Sequence, residues 1–140
     1  MEIETLSTDE EIKAAFPVMS QLRRHLDEGA YLAAVRRMQT SDGYRLAAGF
    51  EEERVRCVAG YRFMELLAYG KILYVDDLVT DEAARSRDFG GGMLRWLAGE
   101  ARRNDCARIH LDSGVQRHDA HRFYFREGMN ISSYHFVKDL

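Results

Sequence analysis

The chain has one proline in 140 residues, two cysteines, no excess of positive charge and no apolar run long enough to cross a bilayer. Each shortage excludes something. Cys57 and Cys106 sit among apolar neighbours, with no C-x-x-C pair and no histidine at ligand spacing. They read as reduced core thiols of a cytoplasmic protein, and neither a disulfide frame nor a metal site is expected. Lys and Arg number 20 against 23 Asp and Glu, a net charge of −3, so no broad basic surface for nucleic acid is expected. The first residues, MEIETLSTDEE, are acidic, where a secretion signal would be basic and then apolar, so neither a leader nor a membrane anchor is expected. What is present is 46% hydrophobic and 31% charged, the balance of a globular domain with a core. Without repeats or a Pro/Gly/Ser linker, residues 1–140 read as a single domain. Eleven glycines are the counterweight to one proline, and three of them, Gly90 to Gly92, are consecutive.

The hydrophobic period orders the elements. Ile3 to Leu6 can form a short edge strand. Ser7 with Glu10 and Thr8 with Glu11 are overlapping capping boxes, and Ile12, Phe16, Met19, Leu22 and Leu26 follow at helical spacing. Pro17 inside that pattern predicts a kink or restart. Gly29 is expected to separate this helix from a second, carrying Tyr31, Leu32, Val35 and Met38. The period then becomes two: Tyr44, Leu46, Ala48, Phe50, and again Val55, Cys57, Ala59, Tyr61, Phe63, with a polar turn between, which is a hairpin pattern. Ile72 to Thr80 is a third long strand, interrupted by Asp76-Asp77. Beyond the glycines, Met93, Leu94, Leu97 and Ala101 mark a helix, Ala107 to Leu111 a strand, His118 to Glu127 a helix stopped by Gly128, and Ile131 to Val137 a last strand. The order predicts an α+β fold: a mixed, mostly antiparallel sheet of about six strands flanked by helices.

A strand, a loop with Arg85 and Arg87, and glycines opening a helix are the parts of an anion cradle, because free N–H groups and the helix dipole favour phosphate there. No G-K-[ST] follows, so a Walker loop does not fit. With its surroundings the segment resembles the GNAT superfamily of acyl-CoA-dependent N-acetyltransferases. Three segments carry the likeness in order: Tyr74-Val75-Asp76-Asp77-Leu78, the loop Arg85-Ser86-Arg87-Asp88-Phe89-Gly90, and Phe123-Tyr124-Phe125-Arg126-Glu127-Gly128-Met129, which looks like the family's Y-x-x-x-G-F. Two loop registers are open. Arg87-x-x-Gly90-x-Gly92 fits letter by letter; Arg85-x-x-Asp88-x-Gly90 keeps the family's distances and is preferred, since a two-residue slip would turn Met93, Leu94 and Leu97 about 200° off the core.

That register puts Asp88 where the family usually has glycine. Facing a phosphate at about 5 Å and an effective dielectric of ~20, its charge would cost roughly 3 kcal/mol. The expectation is that it points outward and caps the helix.

The resemblance implies acetyl-CoA as co-substrate, attacked directly by an amine, and no metal is expected; the Asp76-Asp77 pair and the slightly acidic chain favour a small cationic molecule as the small-molecule amine substrate. It implies that the pantetheine arm pairs with Leu78, Val79 and Thr80. Arg85, Ser86, Arg87, Asp88, Phe89, Gly90 and Gly91 would surround the pyrophosphate, with Arg117 also contacting coenzyme or acceptor. Tyr124 would protonate the departing thiolate, and Asp76 would orient the amine or serve as base through water. Packing for Tyr124, and an arginine salt bridge for Asp76, are the ordinary alternatives. Period two sends Asp76 and Asp77 to opposite faces of the strand. The polar stretch His110 to His121 has neither metal-ligand spacing nor a nucleophile elbow at Ser113, and Asp119 is expected to cap the helix there. Tyr134 and Phe136 on the last strand offer an edge to a second copy, a homodimer. A protein lysine or N-terminal amine is the alternative acceptor, and a non-catalytic acyl-CoA-binding regulatory module the alternative class.

Overall fold

The computed structural model describes residues 1–140, and its first helix begins where a hydroxyl can close it. After strand β1 (Glu2–Thr5), Thr8 caps α1 (Asp9–Ala14) by accepting the Glu11 N–H at 3.2 Å. The Glu11 carboxylate reaches back to the N–H of Ser7 at 2.8 Å, one residue earlier than a strict capping box, so one of the two expected boxes forms, in modified shape. Pro17 restarts the helix as expected: α2 (Phe16–Leu22) holds it in the first turn, where its missing N–H costs nothing. Gly29 does not separate the next helix. The chain breaks over residues 23–27, and Asp27 caps α3 (Glu28–Asp42) through the Ala30 N–H at 2.7 Å, which leaves Gly29 in the first turn.

Strands β2 (Arg45–Glu51) and β3 (Arg54–Leu66) form the hairpin, turned at Glu52 and Glu53, both at positive φ, the backbone of a tight two-residue turn. Then come β4 (Gly70–Thr80), a 3-10 turn at Glu82–Ala84, α4 (Phe89–Arg103), β5 (Arg108–Leu111) and α5 (His118–Arg126). The sheet runs β1-β2-β3-β4-β5, with β1, β2 and β3 antiparallel to their successors and α4 crossing between β4 and β5. Five strands form where about six were expected: residues 129–140 join no strand, and Ile131, Tyr134, Phe136 and Val137 are exposed. Alternation makes a strand only where a neighbouring edge supplies the ladder.

Two compact units divide the chain, residues 1–110 and 111–140. In the first, Leu46, Ala48, Val58 and Val79 cover one face of the sheet and bury Ile12, Val18, Met19, Tyr31 and Val35 from the three N-terminal helices. The opposite face meets α4, whose Met93, Leu94, Leu97 and Ala101 are buried and whose Trp96 lies edge-on to Tyr61. In the second unit α5 begins without a side-chain cap: Arg117 holds the N-cap position, and Asp119, expected to cap, lies in the first turn and pairs with Arg122 at 2.5 Å.

The faces of β4 depart from simple alternation. Gly60 pairs with Asp77 and Tyr61 with Val75, so Asp76 has no register partner and forms a bulge. The extra residue reverses parity, and Asp76 and Asp77 both point to the face of the N-terminal helices, not to opposite faces as period two predicts.

Candidate active site

Both acids are matched by arginine. Arg62, one strand away on β3, grips the Asp76 carboxylate with Nε at 3.0 Å and Nη2 at 2.5 Å. Arg23, just after α2, donates from Nε to one Asp77 oxygen at 2.7 Å, while the Tyr44 hydroxyl donates to the other at 2.7 Å. Burial pushes the Asp76 carboxyl above the ordinary carboxylate range, and the Arg62 bond pulls it back only in part. Burial, with Asp77 alongside, raises Tyr44 well above a free phenol, so it stays a donor. The guanidinium of Arg62 also lies 5.7 Å from the centre of the Tyr44 ring. Asp76 was expected to have either an acceptor-side role or an arginine partner, and it has the partner.

Past the bulge, Leu78, Val79 and Thr80 pair on one side with Ala59, Val58 and Cys57. On the other side β4 has only β5, four residues against its own eleven, so much of that edge has no strand beside it. Free backbone donors and acceptors there suit an extended, amide-bearing arm. The loop that follows is held from several directions. Asp81 accepts the Ala83 N–H at 3.3 Å and the Gln21 amide at 3.1 Å, and lies 3.6 Å from Arg56. The Gln21 carbonyl oxygen accepts the Glu82 N–H at 2.8 Å. These bonds, Gln21 foremost, hold the Asp81 carboxyl below its ordinary range.

Ser86 and Asp88 both take positive φ, 67° and 61°, so the loop turns twice before α4 begins. Asp88 occupies the N-cap position, but its left-handed backbone aims the carboxylate away from the helix N–H groups, and it makes no cap. It pairs instead with Arg95 at 2.6 Å, an arginine two turns along that reaches back toward the helix start. The expectation of an outward Asp88 holds and that of a cap does not. The first turn of α4 contains no acid, and its Phe89, Gly90 and Gly91 N–H groups lie among the donors that a helix leaves without intrahelical partners. Arg85 is exposed, with only Glu82 at 4.0 Å. Arg87 is engaged: both its terminal nitrogens bond to Glu51, and the guanidinium lies 5.1 Å from the centre of the Phe89 ring. A glycine turn without an acid, beside an exposed and only loosely paired arginine, suits an anionic group such as a phosphate.

In the second unit, burial raises the Tyr124 hydroxyl above the ordinary phenol range, partly countered by the charge of Arg117 and a bond from it. The two thus lie together. Neither cysteine is poised to attack: burial pushes the Cys57 thiol up to about 11 and raises Cys106 too. Reading the sequence missed Arg23, Tyr44, Gly60, Arg62 and Gln21 as parts of this arrangement. The one available signal was the pair of carboxylates in a central strand, which must find counter-charges on neighbouring segments.

A model of the Acetyltransferase (GNAT) family matches residues 7–129. The uncharacterized N-acetyltransferase YhdJ of Bacillus subtilis is 35% identical over 134 residues, which is 95% of this chain and 94% of that protein. The chain belongs to the GNAT family and is an acetyl-CoA-dependent N-acetyltransferase. Aminoalkylphosphonate N-acetyltransferase of Salmonella typhimurium is 36% identical over 66 residues, 47% of this chain and 43% of that enzyme. Two solved structures share the fold, each with a TM-score of 0.86. A transcriptional regulator from Bacillus halodurans is 20% identical, over 99% of both chains. An aminoglycoside N-acetyltransferase, AAC(6')-Iy in complex with CoA, is 9% identical, over 99% of this chain and 93% of its own.

Proposed function

We propose that the chain transfers the acetyl group of acetyl-CoA to the primary amine of a small, cationic molecule by direct attack. The observation that carries this is the run from β4 to α4: a strand much longer than the β5 beside it, a braced loop, and a helix whose first turn holds no acid. Acetyl-CoA supplies the activated acyl group; a C–N bond forms as the C–S bond breaks. On this reading the backbone of Leu78, Val79 and Thr80 holds the pantetheine arm. Arg85, Ser86, Arg87 and Asp88 with the Phe89, Gly90 and Gly91 amides surround the pyrophosphate, Arg87 first leaving Glu51. Arg117 also contacts the coenzyme or the acceptor. Tyr124 gives its proton to the departing sulfur, and the raised phenol keeps that proton available at neutral pH. Asp76 orients the amine through the part of its carboxylate that Arg62 leaves accessible; the proton the nitrogen loses passes to water, from which the phenol of Tyr124 is restored, so that one proton moves in net from nitrogen to sulfur. Residues 1–140 act as one domain, which the continuous family match from 7 to 129 supports.

The pairing of both acids with arginines favours a second acceptor, an amine whose skeleton also carries an acidic group. The relative that acts on aminoalkylphosphonates supports it. A cytoplasmic location is supported by two free, buried cysteines, and no helix is long and apolar enough to cross a membrane. Exposed Tyr134 and Phe136 support a homodimer through the C-terminal segment.

Thiol release from acetyl-CoA, with mass analysis of the product, tests the reading across diamines, aminoalkylphosphonates and lysine-bearing peptides. Turnover with a simple cationic amine is the expected result. Turnover confined to amino acids and phosphonates selects the second acceptor, and turnover confined to peptides overturns the small-molecule reading. Coenzyme binding with no thiol released from any amine would leave a non-catalytic acyl-CoA-binding module.

A further inference from the structure

The bulge in β4 is held from outside the sheet. A residue inserted into a strand has no ladder partner, and its backbone polar groups need one elsewhere. Here the Asp76 carbonyl accepts from Arg23 Nη2 at 3.0 Å, while Nε of the same guanidinium is bonded to Asp77 at 2.7 Å. One planar fork thus joins a backbone carbonyl to the neighbouring carboxylate, which the point charge of a lysine cannot reproduce. Tyr44 closes the far side of Asp77, directly above Gly60, where a Cβ would lie 1.8 Å from the tyrosine oxygen.

The end of α2 has a second grip just past the end of the strand, since Gln21 holds Asp81 and the Glu82 N–H. Leu78, Val79 and Thr80 lie between the two anchors. We propose that Arg23 is a positioning residue for acetyl transfer, fixing the bulge so that the strand end Leu78–Thr80 presents its backbone to the acyl donor in one register. This rests on the acetyltransferase reading and on the assignment of that strand end to the coenzyme arm. The pyrophosphate side, at the loop and the start of α4, is not touched by Arg23. Its loss therefore falls on alignment more than on coenzyme affinity, and misplacement by about 1 Å is enough to cost on the order of 100-fold in rate.

The test combines amide hydrogen exchange on the full chain without ligand with steady-state kinetics, for Arg23→Met and Arg23→Lys. Arg24→Met, at an exposed neighbour paired only with Glu82, is the control. Both Arg23 variants are expected to exchange amides 76–80 at least ~10-fold faster and to lower kcat by ~10- to 100-fold, with KM for acetyl-CoA within about 3-fold of the parent. Millimolar methylguanidinium should restore part of kcat to an Arg23→Ala protein, and none to Arg23→Ala/Asp77→Asn. Unchanged exchange at 76–80 overturns the proposal, as does unchanged kcat, or an equal loss in Arg24→Met. If the parent releases no thiol with any amine, the acetyltransferase reading fails, and the exchange data still decide whether Arg23 holds the bulge.

Discussion

Gly60 illustrates how one residue can be set by a bond made above it. The Tyr44 hydroxyl and an Asp77 oxygen occupy the space where a Cβ would project, at 1.8 and 2.6 Å. Neither can yield without breaking their own bond. Gly60→Ala should therefore destabilise the protein by about 2 kcal/mol or more, the cost of overpacking plus a partly orphaned carboxylate. Urea unfolding measures it, and a loss under about 0.5 kcal/mol would show that the pair relaxes freely. Tyr124 carries the opposite kind of prediction, on rate and not on stability. Tyr124→Phe should lower kcat by ~100-fold or more while acetyl-CoA binding is kept, the usual size of a lost general acid. Full turnover of the phenylalanine variant would return Tyr124 to a packing role.

Among the elements, those with a strong period were legible in the sequence. The hairpin, the α4 face with Met93, Leu94 and Leu97, and the restart at Pro17 all follow from spacing and backbone chemistry. What spacing could not show was the bulge. A single unpaired residue at Asp76 leaves the composition of the strand intact while reversing which face its neighbours take. Sequence alone offers no record of register between strands, so the acids read as opposed when they share a face, and their partners Arg23 and Arg62 went unseen. The C-terminal alternation around Tyr134 and Phe136 misled for a related reason: a pattern gives a strand only when an edge receives it.

Asp88 shows the same gap between residue type and backbone. An aspartate before a helix is ordinarily a cap, but at φ 61° its side chain finds Arg95 instead. Asp88→Gly should stabilise the chain by up to about 1 kcal/mol, because glycine accepts that backbone without strain. Acetyl-CoA affinity should change less than ~3-fold, the carboxylate being already matched by Arg95. A tenfold gain in affinity, measured by calorimetric titration, would mean that the aspartate does repel the phosphates.

Across the molecule, acidic side chains tie segments together, and this sets its response to acid. Glu51 is lowered from 4.5, chiefly by its bond from Arg87; Glu11 is lowered from 4.5, chiefly by the Ser7 N–H; and Asp81 is lowered from 3.8. A carboxylate depressed by folding adds stability above its unfolded pKa and loses it as pH falls through the folded value. Stability should therefore decline below pH 4.5, with these three groups contributing nothing to any change near neutrality. Glu11→Gln should flatten part of that acid limb, and an unchanged slope would remove Glu11 from the account.

The central claim is that the open edge of β4, the braced loop and the start of α4 together receive acetyl-CoA. Thermal unfolding with and without the coenzyme tests it most directly. At about 100 times its dissociation constant, a ligand that binds only the folded chain adds about 2.7 kcal/mol, roughly 5–10 °C in a domain of this size. The account predicts that rise for the parent, and a much smaller one when Gly90→Val places a branched side chain among the phosphate-facing amides. A midpoint that acetyl-CoA leaves unmoved in the parent, or raises equally in both, would contradict it.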